Sequence, residues 1–265
     1  MVEDLQDRIP EVKENLERVG ITGLRTIVRT KWKGHEYRFV PNFELTIDLS
    51  KRKKGVHMSR LIESITETLE EETKSLHPSL EELEKHILER LKKVHSYRRA
   101  EITMKTELVV PKKTPITKKE TMETHDIWIS VINDNRNYKK ILRVEVLGNT
   151  VCPHSMEYAK GKAHIQRAIG ILEIETDYKN SVELENMIDV VESSFSSKVY
   201  TLLKTEDERA VVNEMFSNPK FVEDVCREIL SNAKSKFKNS KIRVKVISNE
   251  SIHRHDVVAE ASCRS

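Results

Sequence analysis

The chain has 265 residues, 46 of them Lys or Arg and 43 Asp or Glu, for a net charge of +3. That length allows a sizeable core in one large or two small domains, and the near balance of charge excludes a protein held to nucleic acid by a bulk basic excess. The cysteines Cys152, Cys226 and Cys263, odd in number and far apart, exclude a disulfide framework, and no apolar run reaches membrane-spanning length.

With the acidic start Met1-Val2-Glu3-Asp4, these features give the expectation of a cytoplasmic protein without membrane contact. Residues 1–23 read as a short helical or irregular lead-in. Residues 24–32 alternate as a strand, a turn follows at 33–36, and 37–49 form the return strand of a long hairpin, with Pro41 implying a bulge or edge position. Two helices are predicted next. One covers residues 59–74, with Leu61, Ile62, Ile65 and Leu69 on one stripe. The other starts at Ser79, an N-cap with Glu82 at the capping-box spacing, and its face carries Leu80, Leu83, Ile87, Leu88, Leu91 and Val94. Strands are predicted at 97–110, ended by the Pro111–Pro115 stretch, and at 125–131.

The second half repeats this order. A strand covers 143–147 with Cys152 just beyond its end, and another covers 165–174. Helices follow at 182–203 and 218–233, with Asn218 as N-cap and Pro219 at the first helical position. The last strands fall at 241–247 and 256–261. Two strands, two helices and two strands, read twice, give an α+β chain of tandem units, 24–131 and 132–265.

Five clusters can do chemistry, each near the end of an element. A free Cys is among the most buried residue types, yet Cys152 stands beside the polar, turn-like Pro153-His154-Ser155. His164 is followed by Gln166 and Arg167, and Arg is well suited to phosphate through its rigid fork of donors. His57 precedes a helix that Ser59 caps, next to Lys51-Arg52-Lys53-Lys54, and a helix start beside basic residues suits an anion. Glu250, His253 and His255 place two imidazoles on one face if extended. The fifth cluster is helical, with Glu206, Glu208 and Glu223. Helical glutamates such as Glu192 and Glu223 are usually surface charge. There is no Walker loop, paired-glycine dinucleotide turn, paired Cys-x-x-Cys zinc site or G-x-S-x-G elbow.

In order, Arg18-Val19-Gly20-Ile21-Thr22-Gly23-Leu24-Arg25, Lys54-Gly55-Val56-His57-Met58-Ser59-Arg60, Thr150-Val151-Cys152-Pro153, His164-Ile165-Gln166-Arg167, Asn218-Pro219-Lys220-Phe221-Val222-Glu223-Asp224 and Glu250-Ser251-Ile252-His253 resemble the GTP cyclohydrolase family that comprises the archaeal and the bacterial type IB enzymes. The likeness covers nearly the whole chain. Val151-Cys152-Pro153-His154-Ser155-Met156-Glu157 resembles the archaeal branch, since the bacterial form tends to have a second cysteine where His154 stands.

The resemblance implies a tunnelling fold (T-fold), β-β-α-α-β-β repeated, with the barrel completed between subunits of a homo-oligomer (dimer or tetramer) and active sites at the interfaces. It implies GTP as substrate and Fe(II) as cofactor, with Zn(II) or Mn(II) compatible with a Cys–His–Glu site. By position Cys152, Glu208 and His253 match the metal-site residues, with His164 close to the metal. Spacing leaves Glu206 open beside Glu208. Cys152 and His164 are the implied catalytic pair, and Glu223 matches the acid that anchors guanine. Arg60, Arg167 and residues 51–54 are candidates for the phosphates, with Gln166, His57 and Ser59 as further substrate contacts. The implied products are formate, diphosphate and 7,8-dihydroneopterin 2′,3′-cyclic phosphate, in the first step of tetrahydromethanopterin biosynthesis. The alternatives are a triphosphate product or a non-catalytic purine- or pterin-binding protein. Arg254 replaces the usual Asn after His253, and Val257-Val258 replaces Ala-Tyr, which leaves fine specificity open.

Overall fold

Alternation of apolar and polar residues builds the strands of this protein, and apolar stripes at helical spacing cover them. The computed structural model describes residues 4–32, 35–72 and 79–265. They form two compact units, Met1–Thr106 with Trp128–Ile141 and Glu107–Ile127 with Leu142–Ser265.

In the first unit a 3₁₀ turn, Leu5–Asp7, precedes β1 (Leu16–Arg25). β2 (Val28–Trp32) and β3 (His35–Phe39) make a separate two-stranded sheet, Val28 opposite Phe39. β4 (Asn42–Leu49) buries Phe43, Leu45 and Ile47 and pairs antiparallel with both β1 and β5 (Arg99–Lys113). Between β4 and β5 lie α1 (Met58–Glu72) and α2 (Leu80–Val94), which pack on each other through the fully buried Leu61, Ile65, Leu83, Ile87, Leu88 and Leu91. Ser79 caps α2, its side chain accepting from the Glu82 N–H at 3.2 Å.

β5, β6 (Glu120–Asp134) and β7 (Asn137–Val151) contribute residues to both units. Asn135 and Arg136, between β6 and β7, have φ of 50° and 70°, the left-handed backbone that a tight two-residue hairpin needs. The second unit adds α3 (Pro153–Tyr158), β8 (Ile165–Asp177), α4 (Leu184–Glu192), β9 (Ser197–Lys198), α5 (Thr205–Ser217), α6 (Val222–Lys236), β10 (Ser240–Ser248) and β11 (Val257–Arg264). β10 lies antiparallel between β8 and β11, and β9 pairs with the end of β7. α6 packs on β8, β10 and β11 through Val225, Ile229 and Ala233. Strand order is β1-β4-β5-β6-β7 through the first unit and β5-β6-β7-β8-β10-β11 through the second. The chain is α+β, a large antiparallel sheet with six α-helices among the described residues.

Several element expectations are corrected. The lead-in ends in a strand, β1, and the long hairpin is instead the short β2–β3 pair, because the chain breaks at Val40-Pro41 before β4. Pro111 does not end β5, which runs on to Lys113, although its pairing with β4 stops at Lys105. The helix expected over 182–203 stops at Glu192, and residues 194–197 are buried on the way into β9. Asn218 caps the C-terminus of α5 rather than starting the next helix, and α6 begins at Val222 behind Phe221. α1 starts at Met58, so Ser59 lies in its first turn rather than capping it. The expected turn at Lys33-Gly34 and the end of the first helix at Lys74 lie outside the described residues.

Candidate active site

β7 ends at Val151, and Pro153 opens α3 with Cys152 as its N-cap. A proline suits the first helical position because its missing N–H has no partner there anyway. The Cys152 Sγ accepts from the Ser155 N–H at 3.4 Å, and the Ser155 hydroxyl donates to the Cys152 carbonyl at 3.1 Å. The Cys152 N–H donates to the His164 carbonyl at 3.3 Å, so thiol and imidazole stand on adjoining backbone. Cys152 is half-buried.

His164 Nδ1 lies 2.8 Å from Gln166 Oε1 and 3.9 Å from Glu250 Oε2. Nδ1–H donates to the buried Gln166, which leaves Nε2 as the lone-pair nitrogen. Glu250 is brought in by strand register. Ser248, at the end of β10, pairs with Ala168 and donates its hydroxyl to Glu250 Oε1 at 3.0 Å, while the Asn249 N–H donates to the Arg167 carbonyl at 2.9 Å. Gln166, on β8, and Glu250, just beyond β10, thus flank His164.

Glu206 and Glu208 are exposed in the first turn of α5 on either side of the buried Asp207. Asp207 accepts from the Ile116 and Thr117 N–H groups, the Thr117 hydroxyl and the Lys204 N–H at 2.6–3.2 Å. Burial pushes its carboxyl up, but these hydrogen bonds outweigh that and hold it well below the usual carboxylate range. Glu223 is exposed in the first turn of α6. His253 is exposed in the bend after β10, its ring stacked 5.3 Å from that of His255, and Arg167 is exposed on β8. The expected ligands Cys152, His164, Glu208 and His253 are not drawn into one tight group.

In the first unit, His57 lies beside Asp4 (Nδ1 to Oδ2, 3.4 Å) and Asp7 (Nε2 to Oδ2, 3.7 Å), with Ser59 and Arg60 exposed on α1. Among the described residues, Asp4, Asp7 and His57 are the only three or more potential ligands whose donor atoms all lie within 4.8 Å of one another. The Lys53 ammonium sits 3.0 Å from Asp7, so this group is already an ion-paired surface cluster.

Glu192 is corrected from surface charge to a buried group. It meets Lys112 at 3.0 Å, Lys198 at 3.1 Å and His125 at 3.8 Å. Burial lowers the His125 imidazolium below its ordinary range despite Glu192. The sequence reading missed Asp207 and the serines of Glu192-Ser193-Ser194-Phe195-Ser196-Ser197. The serine run was visible as a polar interruption of the helical period, but its burial and its partners were not.

The family described as GCHY-1, type I GTP cyclohydrolase folE2, matches residues 2–259. The chain belongs to this family. GTP cyclohydrolase MptA of Thermococcus kodakarensis is 55% identical over 98% of this chain and 99% of its own length. MptA of Methanothermobacter thermautotrophicus is 33% identical over 97% of this chain and 92% of its own. Among solved structures, uricase from Arthrobacter globiformis superimposes with a TM-score of 0.60 at 7% identity, covering 97% of this chain and 96% of uricase. That last likeness is one of fold alone. The cyclohydrolase family's match over residues 2–259 takes in every candidate site residue named above.

Proposed function

We propose that this GTP cyclohydrolase opens the imidazole ring of GTP, releases C8 as formate, expels diphosphate and forms 7,8-dihydroneopterin 2′,3′-cyclic phosphate, the first step of tetrahydromethanopterin biosynthesis. The observation that carries the reading is the Cys152–His164 pair, joined by a 3.3 Å backbone hydrogen bond, with Nδ1–H held by Gln166 at 2.8 Å. A thiolate and an imidazole oriented by its other nitrogen fit a borderline divalent metal, Fe(II) foremost with Zn(II) or Mn(II) as substitutes. Glu208 and His253 are the further donors assigned by family position. When bound, such an ion supplies hydroxide at neutral pH by acidifying water.

The residues of the chain bind, orient and move protons. Where His164 is not itself a ligand, its Nε2 takes the proton of the attacking water and returns it to the ring nitrogen that leaves C8. Glu250, 3.9 Å from Nδ1, stabilises the imidazolium formed in between. The Glu223 carboxylate accepts from the N–H donors on the guanine edge. Arg167, Arg60 and residues 51–54 meet the phosphates, with Gln166, His57 and Ser59 as further contacts. The reading also assigns a homo-oligomer, dimer or tetramer, with tandem T-fold units closing a barrel and sites at the interfaces. It assigns a cytoplasmic location without nucleic-acid or membrane partners. No helix among the described residues is long and apolar enough to cross a membrane.

Anaerobic, Fe(II)-loaded protein given GTP should release formate and a dihydropterin, and Cys152→Ala should abolish both. GTP binding without formate would favour a non-catalytic purine-binding protein. Mass spectrometry of the first pterin separates the cyclic phosphate from a triphosphate. If neither product appears while Cys152→Ala retains metal as well as the parent does, the reading is wrong.

A further inference from the structure

The segment after α4 is polar in sequence and buried in the fold. Ser194 and Ser196 are fully enclosed and Ser197 nearly so. Such burial is tolerable only if every polar group finds a partner. The Ser194 hydroxyl donates to the Val190 carbonyl at 2.8 Å, and the Ser196 N–H donates to the Asn149 carbonyl at 3.0 Å. The Asn149 side-chain amide donates to the Ser197 hydroxyl at 3.1 Å. Phe195 anchors the segment to the sheet. Its ring fills a slot left by two glycines on neighbouring strands, where an added Cβ would lie 2.1 Å from the ring at Gly148 and 3.1 Å at Gly170.

This segment touches both ends of the candidate site. Val151, immediately before Cys152, donates its N–H to the Ser196 hydroxyl at 3.3 Å, and its carbonyl accepts from the Lys220 N–H at 3.1 Å. The Asn218 side-chain amide donates to the carbonyls of Phe195 at 3.1 Å and Ser196 at 3.5 Å. The Lys220 ammonium donates to the Ser194 carbonyl at 3.0 Å and pairs with Glu228 at 2.6 Å. Three residues after Lys220 comes Glu223. The loop that presents Glu223 and the strand end that presents Cys152 are therefore fastened to one another and to the same buried segment.

We propose that Ser196, Asn218 and Lys220 are positioning residues that fix the spacing between the Cys152 thiol and the Glu223 carboxylate. The inference rests on the reading above, in which Cys152 would help hold the metal that serves C8 and Glu223 holds the pyrimidine edge of the same guanine. Those two ends of a rigid bicyclic ring cannot adjust to each other, so the protein must set the distance. None of the three residues touches the substrate in this account.

The test uses full-length, Fe(II)-loaded enzyme with Lys220→Met, Lys220→Arg and Asn218→Ala. A shift of the order of 1 Å at a reacting centre lowers rate by up to about 100-fold. Lys220→Met and Asn218→Ala should lower kcat by about 10- to 100-fold on this basis, with a smaller change in KM. Iodoacetamide labelling of Cys152 at one fixed pH, followed by peptide mass spectrometry, should change several-fold in both variants without reference to turnover. Lys220→Arg, which keeps a donor in place, should restore most of both. Loss of activity explained entirely by a smaller folded fraction, or unchanged kcat and labelling in both variants, would overturn the positioning role. A parent enzyme that releases no formate would remove the underlying reading. A parent that turns over while both variants match it would remove this proposal alone.

Discussion

The two units differ in how their buried carboxyl groups are partnered. In the first, α1 and α2 present an aliphatic stripe. The hydroxyls of the buried Ser64 and Thr68 donate to carbonyls one turn back on α1, whereas Glu84 is fully buried on α2 with neither carboxyl oxygen hydrogen-bonded. Backbone of Met104 and Val131 lies near it without making a bond of ordinary geometry. In the second, Ser194, Ser196 and Asp207 are equally deep and Glu192 nearly so, and each has named partners, although the Thr150 hydroxyl and His125 Nε2 make no hydrogen bond. A satisfied buried network fixes geometry, whereas an unsatisfied group only subtracts from stability. The second unit is the one that carries Cys152, His164 and Glu223.

The largest expected effect breaks the comparison at Phe195. Phe195→Ala empties the slot between Gly148 and Gly170 and should destabilise the fold by about 3–5 kcal/mol, measured by chemical denaturation. A much smaller loss would mean that the hydrogen bonds alone hold the segment. Next in size comes Asp207→Ala, which strands the N–H groups of Ile116, Thr117 and Lys204. Its thermal midpoint should fall clearly at pH 7. Asp207→Asn should instead flatten the acid limb. A carboxyl held below its ordinary 3.8 contributes stability that is present above that value and lost as pH falls through the lower folded value. An unchanged acid limb in Asp207→Asn would remove Asp207 as the clamp on α5.

These two residues also mark how far the sequence could be read. The helical stripe of α2, the Ser79 cap and the strands around Cys152 follow from periodicity and capping chemistry, which are local. Asp207 and Ser196 were invisible because their partners, Thr117 and Val151, lie 90 and 45 positions away, and no local pattern encodes such distances. The helix over 182–203 failed for a related reason. Phe195 fits the helical period, but Gly148 and Gly170 draw it into the sheet and end α4 early. At the candidate site, Cys152, His164 and Gln166 were legible as residue types in order. Glu250 joined His164 only through the register of β8 and β10.

Glu84 sharpens the comparison from the other side. Burial, with Glu81 adding to it, holds its carboxyl well above the ordinary value of 4.5. The unfolded chain therefore ionises first as pH rises, and the parent should lose stability above about pH 4.5, by up to about 1.4 kcal/mol per unit until the folded group also ionises. Glu84→Leu removes the unsatisfied acid and should raise stability at pH 7 by about 1–3 kcal/mol while abolishing that slope. A destabilised Glu84→Leu with the slope intact would show that the carboxyl is satisfied after all.

The smallest effect belongs on the sheet face opposite α6, where Lys245 pairs with Glu260 at 2.6 Å and both side chains are more than two-fifths exposed. A solvated pair of this kind contributes about 0–1 kcal/mol, so Lys245→Met should leave the denaturation midpoint nearly unchanged and insensitive to salt. A loss above that range, growing as protein concentration falls, would mean that this face is covered in solution. Under the homo-oligomer proposed above, that outcome would place the pair in the assembly, and it would require the stability of the second unit to be measured on the oligomer rather than on the chain.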